Sequence, residues 1–312
     1  MPRWLERMTA DEIEALPRGS TVVFFPVGAL EDHGPHLPVG LDLDEAEALC
    51  RLAAERLEAE HKGWVGIIAP RAPLAVETHT RSWAFAVRGY VLRDYLVDAG
   101  WTWLRQGFRF LVCFSGNPSA RNLVAIEEAG RLLTRRARRS RGRILEFFKG
   151  SGYGPPSLVS GRSGGSKPAD VWPALLGADP EEHGGKRDTS VALWLYQGTA
   201  REPRSIPPEF PRTGTRWSRL LDRLRRRRWG YWGDPTQASA ELAQDLVGEE
   251  VKDFSLRLRA WIEGANPDRV FGSWHSLVPS NRTTFTAWLL FAAILVLALL
   301  YLRADLSSLV GI

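Results

Sequence analysis

Seven consecutive residues, Thr21 to Val27 (TVVFFPV), carry no charge and show no polar–apolar alternation. A strand with one wet face alternates, whereas one that is apolar throughout must be covered on both faces. Such strands belong to parallel sheets with helices on either side, and the rest of the chain supplies the parts. Trp64–Ala69 and Arg109–Phe114 are two more apolar runs, ended by Pro70 and by Ser115-Gly116. Arg143–Phe148 is predicted as a fourth strand. Leu43–Glu60, Val91–Gln106, Ala120–Arg139, Asp188–Gln197 and Thr236–Glu263 read as helices. The Gly/Ser/Pro-rich stretch Lys149–Pro168 reads as a loop or lid, and Pro-rich Glu202–Thr215 as a surface excursion. The fold class expected is therefore α/β.

The composition is that of a globular protein: 312 residues, 44% hydrophobic and 25% charged, with a net charge of +5. Two arginine clusters stand out, one from Arg131 through Arg135, Arg136, Arg138, Arg139 and Arg141 to Arg143, the other Arg223 with Arg225–Arg228. A solvated helix face accounts for each. Contact with anionic lipid is the sharper alternative, and no nucleic acid is expected, because no nucleic-acid motif accompanies them. Cys50 and Cys113 have no partner nearby in sequence, which argues against a disulfide framework and fits a reducing compartment.

The first dozen residues lack the apolar core of a secretory signal. Phe285 to Leu302, by contrast, holds no charge, with Arg282 and Arg303 outside it and Trp288 and Tyr301 near its ends. Eighteen helical residues span roughly 27 Å, close to a bilayer's hydrocarbon thickness. The organisation expected is an α/β domain over 1–263, a linker over 264–284, a transmembrane helix over 285–302 and a short tail over 303–312. The localisation expected is the membrane, by a single-pass C-terminal anchor, with the main domain cytoplasmic.

In open α/β sheets, sites form beyond the carboxyl ends of the strands. After the first strand comes Glu31-Asp32-His33-Gly34-Pro35-His36-Leu37-Pro38-Val39-Gly40-Leu41-Asp42, with two histidines and three acids in twelve residues. Imidazole and carboxylate together suit a divalent metal, zinc first, manganese or iron as alternatives. A polar surface loop with incidental histidines is the plainer account. After the third strand, Ser115-Gly116-Asn117-Pro118-Ser119 lies at the same sheet edge; a turn with Ser119 as helix N-cap explains it equally well. His183-Gly184-Gly185-Lys186-Arg187-Asp188-Thr189-Ser190 leads into a helix and could bring His183 and Asp188 to the site. His79 is a weaker candidate, and His61 and His275 read as surface residues.

Taken together, these segments resemble the creatininase (creatinine amidohydrolase) family. The first looks like its Glu-x-His-Gly-x-His-Leu-Pro-x-Gly-x-Asp motif and matches at every defined position. The second is similar in placement to its Asn-Gly-His-Gly-Gly-Asn loop, the third to its His-Ala-Gly-x-x-Glu-Thr-Ser motif, and Gly230-Tyr231-Trp232-Gly233-Asp234-Pro235 to its Gly-x-x-Gly-Asp-Pro segment. The resemblance covers about residues 8–263. It implies a three-layer α/β/α fold with a mainly parallel sheet, subunits that assemble into homo-oligomers, and a two-metal centre at which metal-activated water attacks an amide carbon. Carried over, Glu31 and His33 are ligands to different metals, Asp42 bridges, and Asp188 stands where the family has a ligand glutamate. His183 is the acid/base residue, with Glu31 the other candidate for a catalytic role. His36, His79, Trp83 and Phe85 are expected to line the substrate pocket.

The chain departs from the pattern at Asn117, where the family has a ligand histidine; an amide oxygen is a poorer ligand for zinc-like metals. Asp188 is shorter than the family's glutamate, and Trp83-Ala84-Phe85 replaces a Pro-Gly-Thr stretch. One or two ions per chain are therefore expected. Two functions follow. One is a membrane-tethered, metal-dependent amidohydrolase acting on a small cyclic amide, a formamide or a peptide-like substrate. The other is a catalytically degenerate scaffold or ligand sensor at the membrane.

Overall fold

The computed structural model describes residues 3–76, 78, 83–117, 119–139, 157–162, 183–197, 206–207, 230–273, 280 and 282–310. In chain order the elements are β1 (Arg3–Trp4), α1 (Ala10–Glu14), β2 (Thr21–Val27), β3 (Leu30–Glu31), α2 (Leu41–Glu60), β4 (Val65–Ile68), β5 (Ala84–Phe85), α3 (Gly89–Leu104), β6 (Phe110–Ser115), α4 (Ala120–Arg139), β7 (Ser157–Ser160), α5 (Lys186–Leu195), α6 (Ala240–Ile262), α7 (Pro267–Val270) and α8 (Arg282–Val310). The main sheet has the order β1-β4-β2-β6-β7, and every pair in it is parallel.

β2 lies at the centre of that sheet, and all seven of its residues are buried. Its alternate side chains feed two cores. Val23, Phe25 and Val27 pack with Leu92 and Leu96 of α3 and Ile126 and Leu133 of α4. Val22 and Phe24 pack on the other face with Leu49, Ala53 and Leu57 of α2 and Val251, Phe254 and Leu258 of α6. The three-layer α/β/α expectation is met. Pro26, a residue usually kept from central strands because it lacks an N–H, sits past the last β4 partner, where the β2–β4 ladder has already ended at Phe24–Ile68.

β7 falls within the stretch expected to be a loop or lid. A four-residue strand with only two apolar side chains gives almost no period-2 signal in Gly/Ser/Pro-rich surroundings; β6 holds it in register through Phe110–Ser157 to Cys113–Ser160. The strand expected over 143–148 lies outside the described residues. So do the second arginine cluster and Arg141 and Arg143. In the first cluster, Arg136 stacks over Trp101 at 4.2 Å from the ring centroid, which gives it an intramolecular partner.

The stretch expected to link the domain to an anchor is partly docked: Phe271 is buried in the α2/α6 core, and Ser273 and Ser280 hydrogen-bond to Glu127 and Glu128 of α4. The transmembrane helix expected over 285–302 is not supported. Residues 282–310 are helical, but among the described residues no helix is long and apolar enough to cross a membrane. The anchor and the membrane localisation expected from it are therefore not supported. Cys50 and Cys113 are both free and buried.

Candidate metal centre

The carboxyl ends of β2 and β6 face one another across the parallel ladder, Val27 paired with Ser115. The chain leaves β2 through Gly28 into β3, which places Glu31, and then into the tight turn carrying His33. Gly34, at φ +91°, supplies a backbone conformation that side chains disfavour. From β6 the chain passes through Gly116, where an added Cβ would stand 1.6 Å from the carbonyl oxygen of Asp42. Only glycine allows the β6 turn to close onto the first turn of α2. That contact brings Asn117 and Asp42 to one place, and Asp42 at the start of α2 also sits where helix dipoles favour negative charge.

Glu31, His33 and His183 meet here. All three are buried, and one ligand atom from each lies within 4.8 Å of the others. His33 Nδ1 faces the Glu31 backbone carbonyl at 3.0 Å and His33 Nε2 faces Asp42 Oδ1 at 3.2 Å. The first contact places a proton on Nδ1, since a carbonyl only accepts. Nε2 and the Asp42 carboxylate therefore need a cation between them, a proton or a metal. Burial opposes charge on His33, but Asp42, Asp188 and Glu31 outweigh it and raise its pKa to about 10. The other Asp42 oxygen, Oδ2, is buried without a hydrogen-bond partner among the described residues. A buried, unsatisfied carboxylate oxygen beside clustered imidazole and carboxylate is the donor set a divalent cation requires.

His183 is held from three sides. Its backbone pairs with Trp232 in an antiparallel bridge, N–H to carbonyl at 3.0 and 2.7 Å. Its ring stacks between His33 (centroids 4.2 Å apart) and Trp232 (4.8 Å). Its Nε2 faces the Asp32 carbonyl at 2.9 Å, which places a proton on Nε2. The sequence read His183 as acid/base; the structure groups it with the metal-type cluster. Trp232, which buttresses it, was carried only as part of a matching segment, because stacking partners leave no spacing signature.

Asn117 is engaged in hydrogen bonds at both ends of its amide. Its Oδ1 accepts the Ser119 N–H at 3.0 Å, which fixes the amide's orientation, and its Nδ2 donates to Glu31 Oε1 at 2.7 Å. Asn117, and not the Ser119 hydroxyl, thus supplies the side-chain acceptor at this turn; the hydroxyl is buried with no hydrogen-bond partner among the described residues. Asp188 also points elsewhere: Oδ2 accepts the Gly184 N–H at 2.8 Å and Oδ1 faces Arg187 at 3.3 Å. His36 Nε2 lies 3.1 Å from the Gly184 carbonyl and 3.0 Å from Thr189 Oγ1, leaving a buried Nδ1 without a hydrogen-bond partner among the described residues. Burial, joined by the neighbouring His33, pushes the His36 pKa down. Trp83 and Phe85 flank Glu31 across the β3–β5 ladder and are 52% and 47% exposed, an open aromatic rim beside a buried centre. His79 lies outside the described residues.

Fold and centre together define a three-layer α/β/α protein with a buried imidazole–carboxylate site at the carboxyl edge of a parallel sheet. The creatininase family profile, described as creatinine amidohydrolase, matches residues 6–256, and the chain belongs to that family. Mycofactocin precursor peptide peptidase of Mycobacterium tuberculosis is 29% identical over 262 residues, covering 79% of this chain and 88% of that one. Its counterpart from Mycobacterium ulcerans is 26% identical over 270 residues, covering 80% and 89%. Among solved structures, a creatinine amidohydrolase superposes with a TM-score of 0.61 at 21% identity, covering 84% of this chain and 98% of that one. A manganese creatininase gives 0.59 at 22% (83% and 98% covered). A mutant creatininase of Zn–Zn type gives 0.61 at 22% (82% and 96% covered).

Proposed function

We propose that this chain is a metal-dependent amidohydrolase that cleaves the C–N bond of a peptide-like amide. The observation that carries the reading is the convergence of buried ligand atoms from Glu31, His33 and His183, with Asp42 against His33. Glu31, His33 and His183 would hold one divalent ion, and Asp42 is the carboxylate available to complete that shell or to join a second ion to it. Zinc is the first choice and manganese the second; similar creatininase structures are described with each. When bound, such an ion supplies Lewis-acid polarisation of a carbonyl and acidifies water.

The chain's own residues do the rest. Glu31 is oriented by Asn117. His183, its Nε2 proton fixed on the Asp32 carbonyl, offers Nδ1 to the ion or to a proton in transit. A peptide-like substrate is favoured over a compact cyclic amide by the exposed Trp83–Phe85 rim, which suits a ligand extending beyond the centre, and by the similarity to a precursor-peptide peptidase. Assembly of identical subunits belongs to the same proposal and is checked by light scattering.

Asn117 favours a second reading, a catalytically degenerate scaffold or ligand sensor, since it turns a ligand position into a hydrogen-bond donor. The two separate in one assay. Hydrolysis of short amide and peptide substrates by zinc- or manganese-loaded protein, abolished by chelator and by Glu31→Ala, supports the hydrolase. Metal-loaded protein without turnover that gains it on Asn117→His supports the scaffold.

A further inference from the structure

Beside the metal-type cluster lies a second buried constellation, two of whose members, Glu45 and Arg162, lie outside the sequence motifs. Arg162 follows β7 at the edge of the described segment, and its side chain is 5% exposed. Its guanidinium spends all five donors. Nε and one Nη2 bond go to Glu250 of α6, both Nη1 bonds go to the Ser115 and Gly116 carbonyls at 3.0 and 2.9 Å, and the remaining Nη2 bond goes to Glu45. Glu45 lies on α2, one turn beyond Asp42, and is 3% exposed. The same carboxylate receives Arg187, whose Nη1 also faces Asp188 Oδ1 at 3.3 Å. Asp188 in turn holds the Gly184 N–H, one residue past His183.

The chain of contacts therefore runs from the turn that carries Asn117, through Arg162, Glu45 and Arg187, to the loop that carries His183. It touches the second and third motif segments directly, meets α2 one turn past the first, and touches none of the clustered ligand atoms. We propose that Glu45, Arg162 and Arg187 are positioning residues that set the spacing between the Asn117 turn and the His183 loop, and thereby the site's affinity for a divalent cation. A buried arginine with every donor satisfied has one geometry, and a carboxylate shared between two guanidinia fixes both of them at once. The network rests on the metal reading only for its consequence; the coupling of the two loops is a property of the protein alone.

Arg187 is the member to test, since its side chain is 39% exposed and its removal leaves Glu45 paired with Arg162. Simple electrostatics and positioning predict opposite signs for Arg187→Gln. Removing a positive charge beside a cation site tightens cation binding, whereas releasing the His183 loop weakens it. Zinc titration of the full chain is expected to show affinity about 10- to 100-fold lower in Arg187→Gln, the range typical when groups supporting metal ligands are lost, with Arg187→Lys restoring much of it. Unchanged or tighter zinc binding in Arg187→Gln overturns the proposal. Amide hydrogen exchange of the metal-free proteins reads the coupling without zinc. Faster exchange at Gly116 and Ser119, which Arg187 does not touch, is expected in Arg187→Gln; unchanged exchange there overturns the coupling. Wild-type protein that fails to bind zinc overturns the metal reading, and the exchange result then decides the coupling by itself.

Discussion

His33 Nε2 and Asp42 Oδ1 stand 3.2 Å apart in the interior, with the other nitrogen of His33 committed to the Glu31 carbonyl. A bare lone pair facing a carboxylate oxygen would be repulsive, so the pair is built around a cation. Asp42→Asn removes the charge and keeps the shape. It is expected to lower zinc affinity at least about tenfold, by analogy with the loss of groups that support ligands, and calorimetric titration measures it. Affinity equal to wild type would remove Asp42 from the centre.

Asn117 joins Glu31 to the β6 turn through two hydrogen bonds, and Asn117→Ala deletes both. The variant leaves a buried carboxylate oxygen and a turn N–H short of a partner. A loss of about 1–3 kcal/mol is expected, read from denaturant unfolding of the metal-free protein. Asn117→His, by contrast, adds an imidazole beside Glu31 and is expected to raise zinc affinity.

Gly116 has no room for a side chain, because its Cβ would fall 1.6 Å from the Asp42 carbonyl oxygen. Gly116→Ala must push the β6 turn from α2. Destabilisation at or beyond the upper end of about 1–3 kcal/mol is expected from overpacking of this kind, together with weakened metal binding, since the same contact aligns Asn117 with Asp42. A variant with wild-type stability and affinity would show that the two loops are not tightly apposed.

Glu45 gives a pH signature. Burial pushes its pKa up, but Arg162 and Arg187 outweigh burial and hold it below the ordinary carboxylate value. A depressed folded pKa contributes stability above the unfolded value, about 4.3, and that contribution is lost as pH falls through the folded value. Glu45→Gln, which leaves two arginines facing a neutral amide, is expected to cost about 3–5 kcal/mol at pH 7. Its deficit against wild type should shrink as unfolding is measured at progressively lower pH below about 4.3. A deficit independent of pH would contradict the ionised pairing.

Trp83 and Phe85 project from the strand that pairs with Glu31 and remain half exposed. Replacing either with Ala should raise KM for peptide-like amides several-fold and leave kcat nearly unchanged, the pattern of lost uniform binding. Steady-state kinetics on a substrate series of increasing length checks it. An equal fall in kcat would place these residues closer to the reacting bond.

Much of the layer architecture was legible because β2 is apolar on both faces, and only a covered parallel sheet tolerates that. The Glu31–Asp42 stretch was legible because its ligands are local in sequence. The Glu45–Arg162–Arg187 network was not, since its members are contributed by α2, the end of β7 and α5, and charge pairing across 117 or 142 positions leaves no periodic trace. The apolar run over 285–302 was legible as a helix, and the chain is helical over 282–310. At Asn117 the residue type marked a departure from the family pattern; its role as donor to Glu31 needed the fold that brings the two β-strand ends together.

The central claim is that Glu31, His33 and His183, with Asp42, hold a divalent ion. Zinc stoichiometry per chain, measured by elemental analysis after reconstitution and removal of free metal, tests it most directly. The account predicts at least one zinc per wild-type chain and its loss in Glu31→Ala and His33→Ala variants that remain folded. Wild-type protein that retains no zinc and no manganese, or variants that retain as much as wild type, would contradict it.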